Sequence, residues 1–235
     1  MTGLLEGRLA LVTGASRGIG AATAEALAAE GAHVVLTART AEDLEQIEDR
    51  IFEAGGSATI APLDLTDGDS IARLAEAVSG RWDALDVLVL NAAMLGTLSP
   101  VPHIDGKEFN KVLTLNVVAQ QALIASFDPM LRRSAAGRLL AVTSSVGQHP
   151  RAYWGAYGAS KAALETLVLS YADEVRNLTP MRAAIVDPGA TATVMRARAF
   201  PGEDAATLKP PTAVAEAMVE LLRADFDTGY RLKVA

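Results

Sequence analysis

The chain has 235 residues, half of them hydrophobic, and no polar or low-complexity tract interrupts it; we expect one compact domain over residues 1–235. A net charge of −7, a pI near 5.0 and unclustered Lys and Arg argue against a nucleic-acid partner. With no cysteine, disulfides and thiolate metal sites are excluded. The three histidines lie far apart in sequence, so we expect surface or packing residues and no metal site.

The N-terminus lacks the basic-then-apolar pattern of a signal peptide, and no apolar run reaches the ~18 residues of a membrane span. We therefore expect a soluble cytoplasmic protein with no membrane partner.

A glycine-rich turn follows the first predicted strand, residues 9–12. It contains Gly14, Gly18 and Gly20, and strong helix formers follow over residues 21–30. Such a turn can hold an anion, because glycine lets the backbone approach closely and a helix N-terminus offers free N–H groups. The spacing G-x-x-x-G-x-G differs from the standard dinucleotide fingerprint, and a P-loop is disfavoured because no Gly-Lys-Ser/Thr follows. On the turn alone, a nucleotide site and a tight strand–helix turn both remain open.

The rest of the chain alternates strands and helices. Further strands are predicted over residues 32–37, 57–63, 85–90, 138–143, 182–186 and 230–234. Further helices are predicted from Ala41, with Thr40 as N-cap, to about residue 55, and over 67–78, 108–133, 156–177 and 212–224, with Pro129 kinking or restarting the third of these.

This alternation predicts an α/β fold in which helices cover both faces of a doubly wound parallel sheet, a three-layer αβα arrangement of Rossmann type. Ligands of such sheets lie at the carboxyl ends of the strands. Polar or turn residues fall at these predicted ends, which favours the nucleotide interpretation: Gly14–Gly20, Arg39, Asp64, Asn91, Ser144 and Pro188–Gly189.

Tyr157 and Lys161 lie four residues apart at the start of a predicted helix and so share one face. A nearby ammonium favours the phenolate, which makes the pair a plausible acid/base unit. An amphipathic helix with a tyrosine facing the core explains the pair equally well.

Taken together, these motifs resemble the short-chain dehydrogenase/reductase family over nearly the whole chain, as an NADP-preferring, ketoreductase-like member. Residues 13–20 are similar to the family's cofactor turn, Asp64-Leu65 to its adenine contact, and Asn91-Ala92-Ala93 to its Asn-Ala-Gly. The family's catalytic tetrad matches Asn116, Ser144, Tyr157 and Lys161. The resemblance implies that NADP(H) is bound by Gly14, Ser16, Arg17, Gly18, Ile19, Gly20, Arg39, Asp64, Leu65, Asn91, Ala92, Tyr157, Lys161, Pro188, Gly189, Thr191 and Thr193.

The resemblance also implies roles. Tyr157 gives or takes a proton while hydride passes between the nicotinamide and a carbonyl or alcohol carbon. Lys161 lowers the pKa of Tyr157 and binds the ribose. Ser144 holds the substrate oxygen, a role for which Ser145 competes, and Asn116 anchors a water that relays protons.

Two departures from the family pattern stand out. Ala93 replaces the usual glycine, and we expect the loop to tolerate its methyl group. The chain also ends soon after Gly229 without the family's frequent glycine-rich tail, which weakens inferences about the oligomer contact and the pocket edge.

Largely apolar segments predict a pocket for a small hydrophobic carbonyl or alcohol substrate: Met94, Leu95, His149, Pro150, Arg151, Tyr153, Trp154, Met195 and Phe200. Arg151 can pair with a substrate anion, although a solvated surface arginine is the simpler interpretation.

The end of the second predicted strand bears on the choice of cofactor. Ala38 stands where NAD-selective proteins usually carry a carboxylate, and Arg39 follows it. Together with Arg17, this favours NADP, whose 2′-phosphate two guanidinium groups can bind.

Apolar residues spread around the predicted helix 108–133, and small residues line one row of the next helix. Both features, and the family's usual assembly, predict a homodimer or homotetramer. Two functional alternatives stay open: a catalytically silent nucleotide-binding regulator or scaffold of the same fold, and a related enzyme that catalyses epimerisation or dehydration.

Overall fold

A computed structural model describes residues 3–235. Its seven strands are all parallel and form one sheet in the order β3-β2-β1-β4-β5-β6-β7. The strands are β1 Leu9–Thr13, β2 His33–Ala38, β3 Ser57–Pro62, β4 Val87–Leu90, β5 Arg138–Val142, β6 Arg182–Asp187 and β7 Tyr230–Lys233. The predicted doubly wound parallel sheet is therefore confirmed.

Eight α-helices connect or follow these strands. They are α1 Gly18–Ala29, α2 Ala41–Glu53, α3 Gly68–Ser79, α4 Gly106–Leu113, α5 Ala119–Arg133, α6 Gly155–Val175, α7 Val194–Ala199 and α8 Pro211–Arg223. Helices α1, α2 and α8 cover one face of the sheet, and α3, α5 and α6 cover the other. None of the helices within residues 3–235 is both long enough and apolar enough to cross a membrane.

Strand β1 shows how the sequence produces two hydrophobic cores. Ala10 and Val12 face the α1/α2/α8 side, whereas Leu9 and Leu11 face the other side. All five strand residues are buried, because helices cover both faces. The order of the strands places β1 and β4 side by side at the centre, so their carboxyl ends meet.

The long helix predicted over residues 108–133 is interrupted, but not where we expected. Residues Thr114–Val118 form a π-helical segment between α4 and α5, whereas Pro129 lies inside α5 without ending it. Pro129 therefore does not restart the helix, which was one of the two predicted alternatives. Single π-helical turns within helices often occur at functional sites, and this one carries Asn116.

Two other local expectations differ from the structure. Thr40 is the N-cap residue of α2, but its side chain accepts no hydrogen bond from the helix. Helix α7 is absent from the sequence prediction because it has only six residues, which is too short for a hydrophobic period to show. Thr193 begins it, and the Thr193 side chain accepts a hydrogen bond from the Arg196 backbone N–H.

Candidate active site

The glycine turn between β1 and α1 is closely packed. Gly14 and Gly18 have φ angles of 65° and 57°, in the left-handed region that glycine adopts without strain. A Cβ on Gly20 would lie 2.2 Å from the Gly14 oxygen and 2.5 Å from Asn91 Nδ2. Glycine is therefore required at position 20 for α1 to start directly against the end of β1.

The N-terminus of α1 is open to an anion. Arg17 is the N-cap residue, and no side chain of residues 3–235 caps this helix end, which also has no acidic residue in its first turn. Uncapped N–H groups and the helix dipole favour a phosphate. Ile19 and Ser16, both half-buried, belong to the same turn.

The ends of β1 and β4 are joined by a compact hydrogen-bond network. The Thr13 hydroxyl accepts from the Asn91 and Ala92 backbone N–H groups at 2.9 and 3.0 Å and donates to the Val89 carbonyl. Asn91 Nδ2 donates to the Thr13 carbonyl at 2.9 Å and to the Gly14 carbonyl at 3.2 Å. Asn91 thus fixes the loop after β4 against the glycine turn.

Ala93 continues this loop without backbone strain. Tyr153 is the one non-glycine residue with positive φ in residues 3–235, so Ala93 does not need glycine's conformational freedom. Its methyl group therefore carries no backbone cost at this position.

Asn116 organises the base of the site. Its Oδ1 accepts from the Met94 backbone N–H at 2.8 Å, and its Nδ2 donates to the Met94 carbonyl at 2.9 Å and to the Ser160 hydroxyl at 3.0 Å. Ser160 in turn donates to the Tyr157 carbonyl at 2.7 Å. Both amide hydrogens of Asn116 are thus engaged, and Oδ1 is the side-chain atom that can still accept a further hydrogen bond.

Tyr157 and Lys161 are buried together in the first turns of α6. The Lys161 ammonium lies 5.6 Å from the centroid of the Tyr157 ring and donates to the Val142 carbonyl at 2.8 Å. Lys161 is 2% exposed. The structure thus brings the pair to the end of β5, as its placement on one helix face requires.

The pKa shifts of the pair differ from the sequence expectation. Burial, and secondarily the charge of Asp187, raise the pKa of Tyr157 above its ordinary value. Burial lowers the pKa of Lys161 to about 8, against the opposing charge of Glu165. The net shift of the Tyr157 pKa is therefore upward, opposite to the lowering that was expected from Lys161.

Ser144 stands at the end of β5 as the N-cap residue of a short 3₁₀ turn, Ser145–Gly147. Its side chain caps nothing in that turn and is half-buried, whereas Ser145 is exposed. The Ser144 hydroxyl is thus available to a ligand.

The loop after β6 faces the glycine turn. A Cβ on Gly18 would lie 3.5 Å from Thr193 Cγ2, so the two segments approach across a narrow gap. Thr191 is buried and its hydroxyl donates to the Pro188 carbonyl at 3.0 Å, and the N–H of Gly189, whose φ is 62°, donates to Asp187 Oδ1 at 3.0 Å. This loop therefore forms the opposite wall of the site.

Arg17, Arg39, Asp64 and Leu65 lie around the ends of β1 to β3. Both arginines are exposed, and neither forms an ion pair within residues 3–235. Hydrogen bonds from the Thr66 backbone and hydroxyl lower the pKa of Asp64, and the charge of Arg39 adds to this lowering. Leu65 is buried.

An aromatic cluster adjoins Tyr157. The Trp154 ring lies edge-on to Tyr157 at 6.0 Å and 5.6 Å from Phe200. Arg151 and Arg196 both lie over the Phe200 ring. Of the other expected pocket residues, Leu95 and Met195 are half-buried, whereas His149 and Pro150 are exposed and not part of this cluster.

Sequence reasoning missed three positions that support the site. Ser160 links Asn116 to α6, and Gln120 donates to the Ala92 carbonyl at 3.0 Å. Glu165 is buried and receives hydrogen bonds from Gln148 and Arg231. The position of Ser160, three residues after Tyr157, is the one signal that the sequence contained.

Comparison with known proteins identifies the family. The model of the short chain dehydrogenase family matches residues 8–204. This chain belongs to the short-chain dehydrogenase/reductase family. The uncharacterized oxidoreductase YciK of Escherichia coli K12 is 38% identical over 214 residues, which cover 90% of this chain and 84% of YciK.

Solved structures agree with this membership. A short chain dehydrogenase from Pseudomonas syringae has a TM-score of 0.96 at 38% identity and covers 100% of this chain and 97% of its own. A short chain dehydrogenase from Shigella flexneri, complexed with NADP, has a TM-score of 0.94 at 36% identity and covers 100% and 99%. The family and the sheet topology predicted from the sequence are thus both confirmed.

Proposed function

We propose that this protein is an NADP(H)-dependent oxidoreductase that interconverts a carbonyl compound and its alcohol. The observation that carries the proposal is the buried Tyr157–Lys161 pair at the end of β5, tied through Ser160 to Asn116. NADP bound to the Shigella flexneri relative supports the choice of cofactor. The uncapped start of α1 fits a pyrophosphate, and the exposed Arg17 and Arg39 fit an additional phosphate.

The nicotinamide cofactor, when bound, supplies or accepts the hydride. Tyr157 then donates its proton to the carbonyl oxygen that becomes the alcohol. Burial raises the pKa of Tyr157 and so favours the protonated phenol, which is the form that can donate this proton. Ser144 holds the substrate oxygen by a hydrogen bond.

Lys161 supports the proton transfer by its charge. When Tyr157 loses its proton, the ammonium nearby stabilises the phenolate electrostatically. Asn116 fixes the loop at Met94, and a water that reaches its side chain donates to Oδ1. We therefore assign Asn116 a positioning role, and we assign its Oδ1 as the acceptor for the relay water.

Tyr157→Phe tests this assignment. The variant keeps the ring against Trp154, and the bond from Ser160 to the Tyr157 backbone carbonyl is unaffected, so folding and cofactor binding should survive. We expect turnover to fall by about 10²–10⁴-fold, as for the loss of a general acid. NADPH oxidation with a panel of ketones and aldehydes measures this; turnover close to that of the unmodified enzyme would remove Tyr157 from the mechanism.

The same assay separates the alternatives. A regulator or scaffold of this fold would bind NADPH, which a fluorescence titration detects. It would not oxidise NADPH with any compound in the panel. An epimerase or dehydratase converts its substrate without net NADPH consumption.

A further inference from the structure

The aromatic cluster beside Tyr157 ends in a free cation. Arg151 is exposed, its guanidinium lies 5.9 Å from the centroid of the Phe200 ring, and it forms no ion pair within residues 3–235. Arg196 lies over the same ring at 3.7 Å, but Glu203 neutralises it through two hydrogen bonds of 2.6 Å. Of the two arginines over the Phe200 ring, Arg151 is therefore the one that has no ion-pair partner within residues 3–235.

The segment that carries Arg151 and Trp154 is held in a strained conformation. Tyr153 has φ 73°, a region that costs a bulky side chain energy. The Tyr153 carbonyl accepts from the Ser99 backbone N–H at 3.0 Å, and Ser99 forms a β-bridge with Trp154. The loop after β4 thus fixes the segment, so that Trp154 contacts Tyr157 while Arg151 reaches Phe200.

Successive contacts connect Tyr157 to Arg151 through two aromatic rings. A proton donor, Tyr157, is followed by the apolar surfaces of Trp154 and Phe200, and then by the guanidinium of Arg151. A ligand that matches this order has a carbonyl at one end, an apolar body and an anion at the other end. The whole chain has a net charge of −7, so its overall field repels anions. An unpaired arginine at this site favours an anion locally in spite of that repulsion.

We propose that the substrate is an oxo compound whose carbonyl is separated by an apolar body from a carboxylate or phosphate, and that Arg151 binds this anion. The proposal rests on the oxidoreductase function given above. Successive steps of 6.0, 5.6 and 5.9 Å link Tyr157 to Arg151 through the Trp154 and Phe200 rings, so we expect that compounds with the carboxylate directly beside the carbonyl do not reach both groups. Arg151 is a specificity-determining residue and takes no part in the proton transfer.

A homologous series of methyl-ketone carboxylates of rising chain length, each with its methyl ester, tests the proposal. We expect the enzyme to prefer the longer acids over their esters by about tenfold in kcat/KM, the effect of a charge-assisted hydrogen bond. Short acids should show no preference. Arg151→Gln should abolish the preference, so that the ratio of kcat/KM for each long acid to that for its ester falls to about one.

Arg198→Gln is the matched control, since Arg198 is exposed on α7 and lies over no aromatic ring within residues 3–235. It should retain the preference for acids. High salt should reduce the preference in the unmodified enzyme, because exposed charges are screened. Equal use of acids and esters, unchanged in Arg151→Gln, would overturn the proposal while leaving the oxidoreductase function intact.

A binding measurement keeps the inference testable if no ketone of the series is reduced. Long-chain alkanoates, which carry no carbonyl to reduce, should raise the melting temperature of the NADP-loaded protein, and Arg151→Gln should lose this shift. An equal shift in both proteins would exclude Arg151 as the anion site. Absence of NADPH oxidation with every compound would instead count against the proposed function.

Discussion

The charge of Glu165 raises the pKa of Lys161 and so counteracts the lowering that burial causes. Glu165 lies one turn after Lys161 on α6, is 4% exposed, and pairs with Arg231 of β7. Glu165 is thus the charged group that acts on the pKa of Lys161, and Arg231 acts on it only through its pair with Glu165. Because burial lowers the pKa of Lys161 to about 8, this ammonium is charged below pH 8 and loses its proton above it.

Glu165→Gln should therefore lower the pKa of Lys161 further. Activity that needs the ammonium falls as pH rises through that pKa, so the alkaline limb of the pH profile should move to lower pH. We expect activity at pH 8 to drop about two- to fivefold, with little change at pH 6. Arg231→Gln should move the limb the opposite way, since it removes the cation that offsets Glu165. Limbs that coincide in all three proteins would show that Glu165 has only a packing role.

The side chains at positions 38 and 39, Ala38 and Arg39, set the proposed cofactor preference. Ala38→Asp combined with Arg39→Leu introduces a carboxylate that repels the 2′-phosphate and removes a guanidinium that binds it. We expect kcat/KM for NADPH to fall by about tenfold or more, chiefly through KM. Steady-state kinetics with NADPH and NADH measures this, and Arg17→Leu alone should have the smaller effect. Equal efficiency of the unmodified enzyme with NADH would make the assignment of both arginines wrong.

Backbone strain in the segment before α6 should lower the stability of the protein. Tyr153 is 60% exposed, so its side chain contributes little packing, while its positive φ costs about 1–2 kcal/mol. Tyr153→Gly relieves this strain, but glycine loses more conformational freedom on folding, which costs about 0.5–1 kcal/mol of stability. We expect a net stabilisation of a few tenths to about 1 kcal/mol.

Tyr153→Val is the contrasting variant, because a β-branched residue tolerates positive φ least. It should destabilise the protein by about 1 kcal/mol or more, measured by urea unfolding of both variants. If glycine and valine destabilised equally, side-chain packing rather than backbone strain would govern this position.

Some elements of the fold and site could be predicted from the sequence, whereas others could not. Continuous apolar runs such as Val87–Leu90 identified the strands, because strands covered on both faces contain little else. The Tyr157–Lys161 spacing located the pair, since a helix fixes which residues share a face. By contrast, the π-helical segment at Asn116 depends on bonds to Met94 and Ser160, which are distant in sequence. The direction of the Tyr157 pKa shift depends on burial, which no local pattern reports.

At the scale of the whole molecule, α5 and α6 present an unusual outer surface. Val118, just before α5, is 59% exposed, and the α6 row of small residues points outward, with Ala159, Thr166 and Ser170 exposed. Such a row lets another helix approach closely, and burial of this surface would remove Val118 from water. We therefore propose a homodimer or homotetramer that forms through α5 and α6.

Light scattering at micromolar concentration tests this assembly. The unmodified protein should have at least twice the mass of one chain, 24.5 kDa. Thr166→Arg should shift it toward the monomer, because a long charged side chain cannot be buried against a second copy without a partner. The single chain tolerates this change, since Thr166 is exposed. Ala77→Arg, on the exposed side of α3, is the control and should leave the mass unchanged. A monomer in the unmodified protein would contradict the proposal, whereas a dimer that survives Thr166→Arg would place the interface on another face.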